Sequence, residues 1–241
     1  GGCRKYAYSY LRHPTDGPDE FVRGLQRHPA FIEGAMRVLG VGGVRIGQAF
    51  RCVLHNERRP SAALYQLEDG SVLYHDFHRR GGNEWLTLAE VFAAKVTGQL
   101  RELRGKPEHT VWILRLAVEA GVIEPAKVEA PEAPTDLSPV ARQVYDGFIY
   151  LLQCKWLYEP GTATTFSWRF AAGWCGGLTE RQVRTAMRQL LQCGLLRIVG
   201  EYKGAYGKKQ ALFLPGPPAR RGGAKNEDEP ARSWARKAGN N

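Results

Sequence analysis

Cys52 and His55 are two residues whose types and spacing could do chemistry. A gap of two residues between a cysteine and a histidine is the spacing of a metal-binding knuckle, in which sulfur and imidazole nitrogen both bind zinc. A tetrahedral zinc site needs two more ligands, often a second pair of cysteines. This segment has no such pair and contains Asp76, His78 and Arg79 instead. The sequence therefore leaves open whether this segment binds a metal through altered ligands or folds without one.

Motifs that carry catalysis are not found elsewhere in the sequence. There is no P-loop, no H-E-x-x-H helix, no G-x-S-x-G nucleophile turn and no plausible catalytic pair of Cys and His. His13, His28 and His109 are isolated in the sequence and need no special role. These observations predict a protein that is not an enzyme.

Length, charge and cysteine usage favour a globular protein with a polyanionic partner. The chain has 241 residues, of which 43% are hydrophobic, enough for two modest domains with cores. A net charge of +10 favours a polyanionic partner such as nucleic acid. Five scattered cysteines form no disulfide framework, which is typical of a reducing compartment. Because no segment resembles a signal peptide or a membrane span, we expect a cytoplasmic protein without a membrane partner.

Composition predicts four segments along the chain. Residues 125–137 are rich in Pro, Ala and acidic side chains and lack apolar periodicity, which predicts a linker between a domain at 1–124 and a domain at 138–214. Residues 215–241 combine Gly, Pro and mixed charge, which predicts a disordered tail. Positive charge is concentrated after the linker, since residues 136–241 contain 16 Lys and Arg but only 8 Asp and Glu.

The second domain begins with two predicted helices. Ser138 and Pro139 are typical of a helix start, and an apolar stripe follows at helical spacing. That stripe is Val140, Val144, Phe148, Leu151 and Leu152. Residues 166–176 predict a short second helix that ends at the pair Gly176 and Gly177.

A third helix and a β-hairpin follow. Thr179 and Gln182 have the spacing of a capping box, and Gly194 is expected to end the helix that they begin. Residues 195–199 and 210–214 are β-prone runs on either side of a loop rich in Gly, Tyr and Lys, which predicts a hairpin.

The third predicted helix has one apolar and one basic face. Its core face consists of Val183, Ala186, Met187, Leu190 and Leu191. Its outer face consists of Arg181, Arg184, Thr185, Arg188 and Gln192. The order of these elements resembles the winged helix-turn-helix family over residues 138–214. That resemblance implies that the third helix enters the major groove and that Lys203, Lys208 and Lys209 near the wing tip contact phosphates. The alternative is a solvated basic face on a domain that docks on proteins.

Residues 48–124 resemble the zinc ribbon that begins DnaG-type primases. The family motif C-x-x-H-N-E-x-x-P-S leads through a β-hairpin to Y-H-C-F-x-C, then glycines and a helix. The matching residues are Cys52, His55, Asn56, Glu57, Pro60, Ser61, Tyr74, His75, Phe77 and Gly82. The turn 68–70 provides the hairpin, and the segments from Trp85 and from Ile113 look like the family's helical extension.

Two ligand positions of that family are changed in this chain. They hold Asp76 and Arg79, and an arginine is permanently protonated and cannot bind zinc. Asp76 can bind through oxygen and His78 lies one residue from the lost position, so Cys52, His55, Asp76 and His78 could still form a tetrahedral zinc site. The alternative is a ribbon that folds without metal through the packing of its hairpin and helices.

The primase resemblance also implies contact with single-stranded nucleic acid. The sequence contains arginines and aromatic side chains of the kind that bind the backbone and stack with the bases of single strands. They are Arg58, Arg59, Arg79 and Arg80, together with Tyr65, Tyr74 and Phe77. The alternative is that the aromatic rings form a small core and the arginines a solvated rim.

These expectations combine into an α+β protein with a ribbon-like β-hairpin domain, a linker and a winged helix. The carboxylate cluster of a polymerising domain is not found after the ribbon, so we expect a non-enzymatic DNA-binding protein of replication, encoded for example by a plasmid, phage or integrated element. A replicative polymerase or helicase would be a further partner. One alternative is a transcriptional regulator that has reused the ribbon. Another, a metal-dependent nuclease around Asp76 and His78, is weak because two ligands do not make a hydrolytic site.

Overall fold

Helices and antiparallel strands make up the structure, a computed structural model that describes residues 18–77, 85–203 and 209–216. The seven helices and two antiparallel sheets in these ranges confirm the predicted α+β class. Of the helices in the described ranges, none has both the length and the apolar composition needed to cross a bilayer. The part of the predicted tail from residue 217 onward lies outside the described residues.

The chain divides into two compact units. The first comprises Gly1–Ala126 with Gln153–Pro160, and the second comprises Lys127–Leu152 with Gly161–Asn241. The boundary after Ala126 falls within 125–137, the segment predicted as a linker, which contains neither helix nor strand.

Four helices and a four-stranded sheet form the first unit, counted over its described residues. The helices are α1 Pro18–Arg27, α2 Pro29–Val38, α3 Leu88–Thr97 and α4 Pro107–Glu119. The strands are β1 Ala49–Phe50, β2 Ala62–Gln66, β3 Val72–Asp76 and β4 Trp85–Thr87. Every neighbouring pair is antiparallel in the order β1-β2-β3-β4. The sequence predicted a helical extension from Trp85, whereas the structure places Trp85–Thr87 in a strand beside β3 and starts the helix at Leu88.

The predicted hairpin between β2 and β3 is confirmed. Gly70 has a φ of 83°, in the left-handed region that glycine adopts without strain. The Asp69 carboxylate accepts hydrogen bonds from the backbone amide of Ser71 (2.9 Å) and its hydroxyl (2.6 Å), and from Arg27 (3.0 Å). The Ser71 hydrogen bonds, followed by that from Arg27, lower the pKa of Asp69 to about 2. The turn thereby fixes the strand register, in which Leu64 lies opposite Tyr74.

A buried carboxylate connects the start of α3 to the segment before α4. Thr87 and Glu90 form a capping box, in which the Thr87 hydroxyl accepts from the Glu90 amide and the Glu90 carboxylate accepts from the Thr87 amide. The other carboxylate oxygen of Glu90 accepts from the amides of Leu103 (2.9 Å) and Arg104 (3.3 Å). The Glu90 side chain is fully buried, and the guanidinium of Arg104 lies 3.5 Å from it. Burial raises the pKa of Glu90, but these amides and the Arg104 charge outweigh it and the pKa is lowered.

Three helices and a three-stranded sheet form the second unit, again over its described residues. The helices are α5 Pro139–Lys155, whose last three residues belong to the first unit, α6 Trp168–Trp174 and α7 Glu180–Gln192. The strands are β5 Thr164–Thr165, β6 Leu196–Lys203 and β7 Lys209–Pro215, in the order β5-β7-β6. The predicted helices, the capping box at Thr179 and the hairpin are confirmed, whereas β5 was not predicted.

Helices α5 and α6 approach each other closely at a glycine. A Cβ atom at Gly147 would lie 2.5 Å from the sulfur of Cys175, so no other residue fits there without displacement. The indole of Trp174 donates a hydrogen bond of 2.8 Å to the carbonyl of Gly147 and is almost fully buried. Phe148 and Phe166 pack edge to face with centroids 5.3 Å apart. These contacts form the core against which α7 places its apolar face.

The Glu90 carboxylate gives the first testable prediction. Glu90→Gln replaces an acceptor by an amide group whose N–H donors face other N–H donors, so the free energy of unfolding at pH 7 should fall by about 2 kcal/mol. Because the folded-state pKa is lowered, the stability from the charge is present above the ordinary glutamate pKa and is lost as the pH falls through the folded-state value. The deficit of the variant should therefore shrink towards pH 3.

Urea unfolding of the full chain, followed by circular dichroism at several pH values, measures this difference. Glu102→Gln is the matched control, since Glu102 is exposed in the same segment. A Glu90→Gln protein as stable as wild type at pH 7 would contradict the structural role of this carboxylate.

Candidate functional site

Three of the four predicted metal ligands lie together in the first unit. The sulfur of Cys52 lies 3.3 Å from Nδ1 of His55 and 3.3 Å from Oδ2 of Asp76, and that nitrogen and oxygen are 3.1 Å apart. Cys52 and His55 lie in the segment after β1, whereas Asp76 is the last residue of β3. The antiparallel pairing of β1, β2 and β3 thus brings together donors that are 24 residues apart in the chain.

This group is buried on one side and open on the other. Cys52 is 5% exposed and Asp76 2% exposed, while the His55 side chain is 40% exposed. An ion could therefore reach the group past the imidazole and exchange its water there for protein ligands.

Tyr74 forms a hydrogen bond to the sulfur of Cys52. Its hydroxyl donates to the Cys52 sulfur at 3.1 Å and accepts from the Val53 amide at 3.1 Å, and the Leu54 amide also points at the sulfur. Burial raises the pKa of the Cys52 thiol, the hydrogen bonds from Tyr74 and Leu54 oppose that effect, and the Asp76 carboxylate adds to it. The thiol therefore keeps its proton until a cation displaces it.

The donor set fits a metal ion. Sulfur, imidazole nitrogen and carboxylate oxygen are all zinc ligands, and their bond lengths of about 2.0–2.3 Å place tetrahedral neighbours about 3.4–3.6 Å apart. The observed separations of 3.1–3.3 Å need to widen by only a few tenths of an ångström. Cys52, His55 and Asp76, which we call the metal group, could thus hold a metal ion, with one tetrahedral position left for a further ligand. The predicted fourth ligand, His78, lies outside the described residues.

The outer face of the sheet in the first unit presents four aromatic rings. We call Tyr65, His75, Phe77 and Trp85 the aromatic face. Their centroids are 4.4–6.1 Å apart in successive pairs, and Phe77 is 51% exposed. Nδ1 of His75 is buried there and has no hydrogen-bond partner within the described part of the chain.

Tyr74 was named in the sequence analysis as a stacking face, and the structure corrects this. It is fully buried because alternation along β3 points it to the inner face, with Asp76 two residues later. His75 and Trp85 take its place on the aromatic face. The same alternation could have identified His75 from the sequence, whereas Trp85 joins through the pairing of β4 with β3.

Predicted arginines of the first unit are only partly described. Arg58 and Arg59 are exposed in the loop before β2, which a hydrogen bond from the Ser61 hydroxyl to Glu57 braces. Arg79 and Arg80 lie outside the described residues.

Helix α7 separates the predicted core and outer residues of the second unit. Of the predicted core face, Val183, Ala186, Met187 and Leu190 are buried, whereas Leu191 is only half-buried. The predicted nucleic-acid-binding residues of this helix are all exposed, namely Arg181, Arg184, Thr185, Arg188 and Gln192. We call these five residues the α7 face. Arg184 differs from its neighbours because its guanidinium lies over the ring of Trp168, 4.0 Å from the centroid.

The lysines predicted at the hairpin have different environments. Lys203 is exposed at the end of β6, whereas Lys209 forms an ion pair of 3.0 Å with Glu201 across the hairpin. Lys208 lies outside the described residues. Because Glu201 neutralises part of the charge of Lys209, the positive charge of Lys209 is less available to an anion than that of Lys203.

Comparisons with known proteins do not add to this geometry. A scan against models of protein families, a search of curated proteins and a search of solved structures each found no match to this chain.

The metal group gives the second prediction. The full chain refolded with Co²⁺ or Zn²⁺ should retain about one ion per chain, and the cobalt form should show a thiolate-to-cobalt charge-transfer band. Cys52→Ala should lose both the ion and the band, because it removes the sulfur donor. Cys193→Ala is the matched control, since Cys193 is exposed in the second unit.

Metal analysis and absorption spectra of these variants decide the question, and His78→Ala tests the predicted fourth ligand. Retention of the full metal content by Cys52→Ala would contradict the proposed donor set.

Proposed function

We propose that this chain is a non-enzymatic DNA-binding protein of DNA replication that contacts duplex DNA through the α7 face. The observation that carries the proposal is the exposure of three arginines and two short polar side chains on one side of α7. Arginine can form paired hydrogen bonds with guanine, and Gln and Thr can also bond base edges. Helix α7 has 13 residues, or about 20 Å at 1.5 Å per residue, a suitable length for a groove.

The order of elements supports interpreting the second unit as a winged helix. Helices α5, α6 and α7 are followed directly by the β6–β7 hairpin, and α6 and α7 are joined by a short turn with two glycines of positive φ, Gly176 and Gly177. In a winged helix-turn-helix protein, the helix in the position of α7 enters the major groove and the hairpin contacts the backbone. Lys203 would then contact phosphates.

Two features of the first unit, the metal group and the aromatic face, support a role in replication. The pairing of β1, β2 and β3 places Cys52, His55 and Asp76 together, which supports a zinc-binding ribbon of the primase kind with changed ligands. The aromatic face is suited to stacking with the bases of a single strand, and the exposed Arg58 and Arg59 before β2 could contact its phosphates. A protein with the α7 face and the aromatic face could bind duplex and single-stranded DNA near a replication fork, with a polymerase or helicase as partner.

A second candidate is a transcriptional regulator that uses the same winged helix. Ile198, Val199 and Tyr202 on β6 are 37–53% exposed, and apolar exposure on a hairpin favours contact with a protein, such as a second copy of the regulator. A regulator should prefer one duplex sequence and ignore single strands, whereas a replication protein should also bind forked or single-stranded DNA.

Binding isotherms of the full chain on duplex, forked and single-stranded DNA at several salt concentrations test the proposal. Arg184→Ala with Arg188→Ala should weaken duplex binding by about 1–3 kcal/mol per base-reading arginine. Lys203→Ala should weaken all sequences alike and lower the slope of log affinity against log salt by about one unit.

Arg37→Ala is the control, because it removes one exposed positive charge from α2 of the first unit. Unchanged duplex affinity and preference in the double variant would leave the α7 face as a docking surface and remove the main support for both candidates.

A further inference from the structure

The contact between Trp168 and Arg184 orients one arginine of the α7 face. Trp168 is the first residue of α6 and Arg184 lies in the second turn of α7, so the contact spans the two helices on either side of the turn. The guanidinium carbon lies 4.0 Å from the centroid of the indole, well inside the ~6 Å range of cation–π contacts. Tryptophan is the aromatic side chain that attracts cations most strongly.

The distance of 4.0 Å places the flat side of the guanidinium against the indole, because an N–H edge turned towards the ring would bring its nitrogen to about 2.7 Å from the ring centre, closer than van der Waals contact allows. The five N–H donors of arginine lie in the plane of the group, so a ring beneath that plane blocks none of them. Within the part of the chain that the structure describes, Arg184 donates no hydrogen bond and forms no ion pair. Arg184 therefore presents an oriented set of donors without a protein acceptor in these ranges.

The other two arginines of the face lack this restraint. Arg181 and Arg188 are exposed, and neither lies over an aromatic ring in the described ranges. Their side chains can turn towards any phosphate in reach, which suits contacts that do not depend on sequence. Orientation by a ring thus distinguishes Arg184 from two residues of the same type on the same helix.

We infer that Arg184, held by Trp168, is the residue that reads a guanine in the major groove. The inference rests on the proposed function and assigns one base to one side chain. Guanine presents O6 and N7 as two acceptors on one edge, and two parallel N–H groups of an arginine match them. A fixed plane favours this paired geometry over single contacts with other bases, because the donors cannot turn to follow a displaced acceptor. Trp168 is accordingly a positioning residue that touches no DNA.

The test begins with a duplex selected from a random pool by the full chain. Replacing each base pair of that duplex in turn should reveal one guanine whose loss weakens wild-type binding about 5- to 150-fold. Arg184→Lys and Trp168→Leu should both abolish that preference, while Trp168→Phe, which keeps a ring, should retain part of it. The double variant should be no worse than either single variant, since both remove one interaction.

Arg37→Lys makes the same substitution at an exposed position of α2, outside the α7 face, and should leave the preference for that guanine in place. The salt slope of Trp168→Leu should equal that of wild type, because no charge is removed. Circular dichroism of each variant reports on folding, and Arg184→Lys changes only an exposed side chain, so the test does not depend on the tryptophan variants alone.

Two results would overturn the inference while the proposed function stands. One is full guanine preference in Trp168→Leu. The other is a loss of affinity in Arg184→Lys that is equal for all sequences, which would make Arg184 a phosphate contact. If the wild-type chain binds no duplex at all, the proposed function fails and this inference falls with it.

Discussion

Helix α7 can bury only one of its faces, and the organisation of the second unit depends on that constraint. Val183, Met187 and Leu190 are buried on the core side of α7. The same core contains the buried rings of Phe148, Phe166 and Trp174. The arginines of the α7 face are thereby held at the surface on a rigid element, where a ligand meets them without reorganisation of the backbone. The proposed function depends on this packing, because a basic face on a fixed helix can dock in a groove as a rigid body, whereas the same charges on a loop would first have to be ordered.

Two buried carboxylates of the first unit, Glu90 and Asp76, have neighbours of different kinds. Glu90 accepts from three backbone amides and lies beside Arg104, so its charge is stabilised within the fold. Asp76 lies 3.3 Å from the sulfur of Cys52 and 3.1 Å from an imidazole nitrogen of His55, and thiolate, imidazole and carboxylate are all ligands that zinc uses. We therefore assign Glu90 to the stability of the unit and Asp76 to the metal group.

Local signals in the sequence accounted for much of the fold and for less of the site. The capping box at Thr179 and the turn at Gly70 specify their own geometry, so the helix and the hairpin that they begin could be predicted from a few neighbouring residues. Strand β5 could not be predicted, because a strand of two residues is too short to show an alternating pattern. It forms a strand only through its pairing with β7. Helices α1 and α2 were not predicted, although the proline at the first position of α2 was a usable signal. The stacking of Arg184 on Trp168 joins residues 16 positions apart across a turn, and no spacing rule predicts such a contact.

The most direct measurement of the central claim is to observe the arginine side chains of the full chain while duplex DNA is added. In a ¹⁵N-labelled protein, the Nε–Hε resonance of each arginine reports on its own surroundings. We expect the resonances of Arg181, Arg184 and Arg188 to shift on binding of a selected duplex, with that of Arg184 changed most, while the resonance of Arg37 on α2 stays in place. Duplex binding that shifts other arginines and leaves the three resonances of the α7 face unchanged would contradict the account.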